Sequence, residues 1–143
     1  MNVELEYLKH DDLQEYKCLL DGVLGESVDL DTMKAKYRER HPSTKTVVAK
    51  KGSEIIGTIT FVLIDTFTRT GDPKIEFLNF AVAPVARGTE TATMLMNFVI
   101  DYAQEYGYQS ITVNCGVDAE RAHYFYEKMG FERDDRARFV LVV

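Results

Sequence analysis

A chain of 143 residues is long enough for one folded domain with a hydrophobic core and too short for two. With 45% hydrophobic and 28% charged residues, the composition is that of a globular protein and excludes a disordered chain. The formal net charge of −6 argues against nonspecific binding to nucleic acid and favours cationic partners such as amines.

Residues that could bind a metal or form a disulfide are few and scattered. Cys18 and Cys115 are far apart in sequence, and His10, His41 and His123 show no metal-ligand spacing. We therefore expect two reduced thiols, no metal and a cytoplasmic protein. The N-terminal sequence MNVELEYLKH is acidic and lacks a long apolar run, which argues against a signal peptide. No apolar stretch is long enough to span a bilayer, so we expect no membrane partner.

The first third of the chain predicts one strand followed by two helices. Val3–Leu8 alternates apolar and polar residues, as a short strand does. Asp11 and Asp12 offer an N-cap for a first helix with apolar residues at helical spacing. A second helix, from Leu30 to Tyr37, stops before Pro42. We expect these helices to lie over a sheet edge and to shape a pocket.

Three strands are predicted in the middle of the chain. Thr46–Lys50 and Glu54–Asp65 form a hairpin through the turn at Lys51–Ser53. The next strand, Lys74–Ala83, is nearly all apolar after Glu76, so we expect it to be central and covered on both faces.

The second half predicts a crossover unit followed by further helix and strand. A helix from about Gly88 to Tyr106 leads to a strand at Ser110–Asn114, which should run parallel to the preceding strand. A shorter helix spans Ala119–Met129. Phe131 and Phe139–Val143 are expected to finish the sheet as a hairpin, and this last strand could also pair across a homodimer.

These elements predict a single mixed α/β (α+β) domain over residues 1–143. We expect a central mixed sheet of about six to seven strands with about four helices. Within it, Phe77–Met96 is the strongest candidate for a binding site, because a strand there enters a helix through a turn at Arg87 and Gly88. The first N–H groups of a helix have no intrahelical partner, and the helix dipole is positive at that end, so such a turn can bind an anion.

Two stretches resemble the GNAT superfamily of N-acetyltransferases. Val82–Ala92 (VAPVARGTETA) resembles the family's acyl-CoA signature, Val-x-Pro-x-x-Arg-Gly-x-Gly-x-Gly/Ala. Ala122–Phe131 (AHYFYEKMGF) resembles its Ala-x-x-Phe-Tyr-Glu-Lys-x-Gly-Phe run. The two lie in the family's order, and the element order of nearly the whole chain fits the GNAT fold. The chain departs from the family at Glu90, in place of the second glycine, and at Ala119, where an asparagine is often found.

The resemblance implies acetyl-CoA as co-substrate, no metal, and direct attack by a primary amine of a small molecule or peptide. Tyr126 matches the tyrosine that protonates the departing thiolate, and Glu76 is a candidate base. Alternatively, Tyr126 is a core aromatic and Glu76 a strand-end residue that faces solvent. The implied cofactor-binding residues are Phe80, Ala81, Val82, Arg87, Gly88, Thr89, Glu90, Thr91 and Ala92.

Several of these residues have plainer structural explanations. Arg87 contacts CoA phosphates or is an exposed arginine, and Thr89 and Thr91 are hydroxyl donors or ordinary first-turn residues. His123 is expected to be a surface or packing residue, and Asn79 to line the cleft or mark a bulge. The segments expected to wall an acceptor site carry Tyr7, Tyr16, Tyr37, Phe67 and Arg69.

Two other functions remain as alternatives. A GNAT-fold protein with weakened or lost CoA binding would act as a binding or interaction module, and Glu90 and Ala119 favour it. The intact pairs Arg87–Gly88 and Phe125–Tyr126 favour the enzyme. A nucleotide-binding α/β protein is disfavoured, because the sequence has no Gly-x-Gly-x-x-Gly run and no Gly-Lys-Ser/Thr.

Overall fold

The protein is described by a computed structural model that covers residues 2–25, 27–65 and 73–143. The loop residues Phe67 and Arg69 therefore lie outside the described residues. By its internal contacts the chain divides into two compact units, Met1–Val113 and Asn114–Val143.

Within the described residues there are five strands and four α-helices, so the mixed α/β class and the number of helices are confirmed. The strands are β1 (Glu4–Tyr7), β2 (Thr44–Lys51), β3 (Glu54–Ile64), β4 (Lys74–Val82) and β5 (Ser110–Thr112). The helices are α1 (Leu13–Leu24), α2 (Leu30–Glu39), α3 (Thr91–Tyr106) and α4 (Glu120–Lys128).

One mixed sheet forms the centre of the first unit. Its strand order is β1-β2-β3-β4-β5, the same as the order along the chain. The first four strands pair antiparallel, and β5 pairs parallel to β4 with Ile75 opposite Ile111. The parallel pairing across α3 confirms the predicted crossover unit.

The predicted strands at the C-terminal end were wrong. Residues 131–143 form neither helix nor strand, and every residue of Phe139–Val143 is exposed. The run was predicted from the β-propensity of its apolar and branched residues. Such propensity reports how well a side chain fits a half-buried pleated surface, and a strand forms only where a neighbour accepts its hydrogen bonds. The described sheet therefore has fewer strands than predicted.

Helix α1 covers one face of the sheet. Its buried side chains form a core cluster with Val48 of β2 and Ile55 of β3. Tyr16 lies deep in this layer, where burial raises the pKa of its phenol while hydrogen bonds with Thr60 and Thr58 act in the opposite direction. The cluster comprises Leu13, Tyr16, Leu19, Leu20, Val48 and Ile55, with Met33 and Tyr37 of α2 among the partly buried residues around it.

Helix α3 packs on the opposite face, where Leu95 is fully buried. The close approach depends on Gly57 of β3, which has no side chain. A Cβ added there would lie 3.0 Å from Leu95 Cδ1 and 3.1 Å from Thr91 Cγ2. Gly57 therefore fixes how near the first turn of α3 comes to the sheet.

A β-bulge interrupts β4 at Asn79. Thr60 pairs with Leu78 and Thr58 with Ala81, so β4 has one residue more than β3 between these pairs. Asn79 takes a positive φ of 48°, which within the described part of the chain is seen for no other non-glycine residue. Asparagine tolerates this region better than most residues, which agrees with the bulge expected there.

Candidate functional site

The turn between β4 and α3 is built around the backbone of Gly88. Residues Pro84–Ala86 form a single 3₁₀ turn, closed by a hydrogen bond from the Arg87 N–H to the Pro84 carbonyl at 3.2 Å. Gly88 follows with φ 78°. A Cβ added to Gly88 would meet no atom within 4 Å. What the turn requires from this glycine is therefore its left-handed conformation rather than empty space.

Two threonines close the first turn of α3. The Thr89 N–H donates to the Ala86 carbonyl at 3.2 Å, and the Thr91 N–H donates to Thr89 Oγ1 at 3.3 Å. The two hydroxyl oxygens lie 3.0 Å apart, and Thr91 is buried. Both threonines therefore shape the turn itself. Their contact with a ligand stays a prediction.

Glu90 occupies the N-cap position of α3, and the helix begins at Thr91, three residues later than the expected start at Gly88. Its carbonyl accepts from the Met94 N–H at 2.8 Å, while its side chain makes no capping hydrogen bond and is exposed. Ala92 follows in the first helical turn. An acidic group at this end complements the positive end of the helix dipole. The same place would also bring it near a bound anion.

Strand β4 continues well beyond its pairing with β5. The parallel ladder ends where Glu76 faces Thr112, and β4 runs on to Val82. From Phe77 onward, β4 therefore has no partner in the described β5 ladder. Phe80 packs edge-to-face on Phe77 with ring centroids 5.9 Å apart, while Ala81 is buried against β3.

Glu76 lies on the face of the sheet that α1 covers. It is half-buried and sits opposite Val62 of β3. Leu78, two residues further along β4, projects to the same side, because side chains alternate along a strand. Leu78 lines a cavity that residues of α1 and α2 share with Tyr102 and Tyr106 of α3.

This cavity has a volume of about 780 Å³. Its walls come from β1, α1, α2, the start of β2, the middle of β3, the bulge of β4 and the end of α3. Asn79 lines it, so this residue has both of the features expected of it. Five tyrosines also line it: Tyr7, Tyr16, Tyr37, Tyr102 and Tyr106. The first three of these are ones that the sequence placed in the walls of an acceptor site.

The polar lining of the cavity carries positive charge. Lys36, Arg40 and Lys45 contribute to it, and the described lining contains no carboxylate. The Arg40 guanidinium lies 3.9 Å from the centroid of the Tyr37 ring and donates to the Tyr37 carbonyl at 2.6 Å. Lys45 Nζ lies 5.9 Å from the centroid of the Tyr7 ring. Sequence reasoning missed these cations, and only the one-turn spacing of Lys36 and Arg40 hinted at a shared face.

Two of the phenols in this wall are held neutral. Burial raises the pKa of Tyr7 and of Tyr102, and the neighbouring Tyr106 and Glu105 push both values the same way. Neutral phenols donate hydrogen bonds and add no negative charge to the cavity.

The second unit holds the remaining predicted catalytic residue. Tyr126 on α4 is half-buried, with ring centroids 5.8 Å from Phe125 and 5.7 Å from Phe131. Burial, followed by the influence of Cys115, raises the pKa of Tyr126 to about 12. His123 Nε2 lies 2.8 Å from the Gly116 carbonyl, which fits the structural role expected of it.

No group of three or more His, Cys, Asp or Glu among the described residues is placed to hold a metal ion. None of the helices described is long and apolar enough to cross a membrane.

Comparison with known families gives a match over most of the chain. A sequence model of the acetyltransferase (GNAT) family matches residues 8–131. No curated protein sequence matches this chain.

Solved structures share the fold at low sequence identity. A transcriptional regulator from Bacillus halodurans C-125 is 23% identical with a TM-score of 0.84, over 99% of this chain and 100% of that one. A putative acetyltransferase from Agrobacterium tumefaciens str. C58 is 18% identical with a TM-score of 0.87, over 97% and 99%. A glucosamine-6-phosphate N-acetyltransferase from Arabidopsis thaliana is 17% identical with a TM-score of 0.81, over 99% of both chains.

Proposed function

The chain belongs to the acetyltransferase (GNAT) family, and from this premise we propose that it is an N-acetyltransferase. It transfers the acetyl group of acetyl-CoA to a primary amine of a small molecule or peptide, and residues 1–143 act as one acetyltransferase domain. The observation that carries the proposal is the β4–α3 turn, where Gly88 at φ 78° brings Arg87 to the N-terminal end of a helix. A cavity of small-molecule size opens on the sheet that bears this turn.

Acetyl-CoA is assigned to the turn and to the strand that leads into it. The backbone of residues 87–92 and the dipole of α3 would hold the pyrophosphate, and the exposed Arg87 would contact the phosphates. Phe80, Ala81 and Val82, on the part of β4 beyond the β5 ladder, are assigned to the acyl-bearing arm. The cavity walled by α1 and α2 is assigned to the acceptor.

In the proposed reaction the neutral amine attacks the thioester carbonyl. A bond forms between nitrogen and the acyl carbon, and the carbon–sulfur bond breaks. Glu76, on the cavity side of β4, takes the amine's proton directly or through water. Tyr126 gives its proton to the departing thiolate. Its raised pKa means that the phenol is fully protonated at neutral pH.

The test combines acetyl-CoA binding with thiol release in the presence of a panel of amines. Tyr126→Phe should lower kcat about 100-fold and leave the Kd for acetyl-CoA unchanged. Tyr124→Phe is the matched control, because Tyr124 lies on the same helix and is 70% exposed. Equal activity of the two variants would remove Tyr126 from the mechanism. Absence of micromolar acetyl-CoA binding by the wild type would remove the transferase itself.

The pH profile gives a second readout for Tyr126. Activity should rise with pH as the acceptor amine loses its proton. A tyrosine whose pKa is about 12 stays protonated throughout this range, so no decline due to Tyr126 is expected below about pH 11. A decline centred near pH 10 that is absent in Tyr126→Phe would contradict the raised pKa.

One observation favours a second function. The exposed side chain of Glu90 stands at the helix end where the signature has glycine, and it would oppose a bound pyrophosphate. A GNAT-fold protein that has weakened or lost CoA binding would act as a binding module. If the wild type fails to bind acetyl-CoA and Glu90→Gly restores binding, this second function replaces the enzyme.

A further inference from the structure

The cavity beside α1 and α2 has a chemical bias that the proposed function does not specify. We propose that the acceptor is a small primary amine that also carries an anionic group, a carboxylate or a phosphate, bound by Lys36, Arg40 and Lys45. This inference rests on the proposed function, because the ligand is an acceptor only if the protein is a transferase. The anion site itself can be tested without any transfer of acetyl.

The positive charges in the lining are uncompensated within the described residues. None of Lys36, Arg40 and Lys45 takes part in an ion pair there, and all three line the cavity. Lys50, further along β2 than Lys45, differs from these three residues because it forms ion pairs with both Glu6 and Asp12. Cations that face a cavity without partners favour an anionic ligand there.

One of the cations is already oriented. Arg40 is stacked 3.9 Å from the Tyr37 ring centroid, and its Nη1 donates to the Tyr37 carbonyl. The Tyr37 hydroxyl in turn donates to the Leu8 carbonyl at 3.2 Å, which ties the residue to the chain after β1. A guanidinium held in this way loses little further freedom when a carboxylate or phosphate binds.

The alternative explanation for basic residues late in a helix is that they complement its dipole. Lys36 is in the last turn of α2, and Arg40 is its C-cap residue, so they satisfy that explanation as well. Lys45 does not, because it lies on β2. Its side chain leaves the sheet on the face opposite Thr46, over Tyr7, and lines the cavity from that side. Basic residues from two different elements therefore contribute to one cavity.

The rest of the lining suits a small polar anion. Thr46 Oγ1 and Thr60 Oγ1 lie 2.8 Å apart within it. The pKa of Tyr102 is raised mainly by burial, then by Tyr106, and less by the carboxylates of Glu105 and Asp65. Neither carboxylate is part of the described lining. A volume of about 780 Å³ is within the range of small-molecule sites. The chain's net charge of −6 is spread over the molecule and screened beyond roughly 8 Å. The nearby cations therefore determine which charge on a ligand the cavity favours.

The first experiment is an NMR titration of the whole protein with inorganic phosphate. We expect saturable shifts of the backbone amides at residues 36–46, distinct from any shifts at the start of α3. Lys36→Gln and Lys45→Gln should each raise the apparent Kd at this site at least threefold. Lys34→Gln is the matched control, because Lys34 lies on α2 outside the lining. No saturable shift at 36–46, or an equal effect of Lys34→Gln, would overturn the proposal.

The second experiment compares matched acceptors. Tyrosine is compared with tyramine, and phosphoethanolamine with ethanolamine, which separates a carboxylate from a phosphate. In at least one pair the anionic member should have a kcat/KM about tenfold higher, and Lys45→Gln should remove most of that ratio. A higher kcat/KM for the neutral members would overturn the inference and leave the transferase intact. Phosphate binding at residues 36–46 without any binding of acetyl-CoA would leave the anion site intact and overturn the proposed transferase function.

Discussion

The β4–α3 turn and the cavity lined by α1 and α2 are built in opposite ways. The turn is one continuous run of residues 82–92 whose geometry depends on backbone conformation, with Gly88 at its centre. The cavity is assembled from side chains on seven elements, and none of these side chains belongs to a sequence signature. Ligand binding by the turn should therefore be sensitive to backbone strain, whereas binding in the cavity should be sensitive to side-chain charge.

The largest expected effect is on acetyl-CoA affinity, when backbone strain is introduced into the turn and compared with similar strain elsewhere. In Gly88→Val a branched side chain is forced to φ 78°, and the turn must change shape to relieve it. We expect acetyl-CoA affinity to fall tenfold or more by calorimetry. Gly52→Val is the matched control, because Gly52 has φ 66° in the β2–β3 hairpin and equally open surroundings.

Both glycine variants should lose stability, by about 1–2 kcal/mol in urea unfolding, since the strain is similar. Only the Gly88 variant should lose affinity. If Gly52→Val weakens acetyl-CoA binding as much, the loss reflects general destabilisation. Binding would then not depend on the backbone conformation of the turn.

A smaller effect is expected where the sheet supports the turn. Gly57→Ala places a methyl group 3.0 Å from Leu95 and 3.1 Å from Thr91, so the first turn of α3 must shift. We expect a loss of about 1–2 kcal/mol in urea unfolding. Gly22→Ala, within α1 and with no atom within 4 Å, should instead stabilise by roughly 0.5–1 kcal/mol. Stabilisation by both would mean that the contact at Gly57 is loose.

Glu90→Gln tests charge within the turn and should have a modest effect. Two unit charges 6 Å apart at an effective dielectric of 20 repel by roughly 2.8 kcal/mol. Since the Glu90 side chain is exposed, solvent should reduce this to a tightening of acetyl-CoA binding below about fivefold, fading as salt is added. A hundredfold tightening would show that the carboxylate faces the phosphates and would strengthen the binding-module alternative.

The smallest effect concerns the frame of the cavity, where Lys50 joins β1 to the start of α1. Its Nζ lies 2.7 Å from Glu6 and 2.6 Å from Asp12. The hydrogen bond from Lys50 lowers the pKa of Glu6. Burial acts to raise the pKa of Asp12, but hydrogen bonds from Lys50 and Lys9 leave it lowered. The pKa of Lys50 is raised, first by its hydrogen bond to Asp12.

These directions fix the pH dependence of Lys50→Met. Carboxylates with lowered pKa stabilise the fold above their unfolded-state pKa and lose that contribution as the pH falls through the folded-state value. Lys50, with its raised pKa, contributes below its unfolded-state pKa and loses the contribution as the pH rises through the folded-state value. The wild type should therefore melt slightly higher than Lys50→Met between about pH 5 and 10. A difference that grows at pH 3 would contradict this.

The turn could be predicted from the sequence because its residues are contiguous and each has a local cause. The glycine, the arginine and the apolar stripe of α3 were all visible. The helix began three residues later than expected, at Thr91, because Gly88 is left-handed and the Thr89 hydroxyl closes the turn. The bulge at Asn79 also had a local signal, a polar residue inside an apolar strand.

The charge of the cavity had no such signal. Lys36 and Arg40 look like ordinary surface residues of α2, and only the packing of that helix shows which side they face. The overall acidity of the chain favoured cationic partners such as amines and gave no sign that the charged residues in the described lining are all basic. The strand predicted at Phe139–Val143 was wrong for a related reason, since strand formation depends on a partner elsewhere in the fold.

The strand order of the sheet has a consequence for how the chain is made. Because β1 to β5 lie side by side in the order of their synthesis, each strand can pair with one that has already left the ribosome. The four antiparallel strands are complete by Val82, before α3 emerges. We therefore expect the four antiparallel strands to pair one after another during translation, each as soon as it emerges.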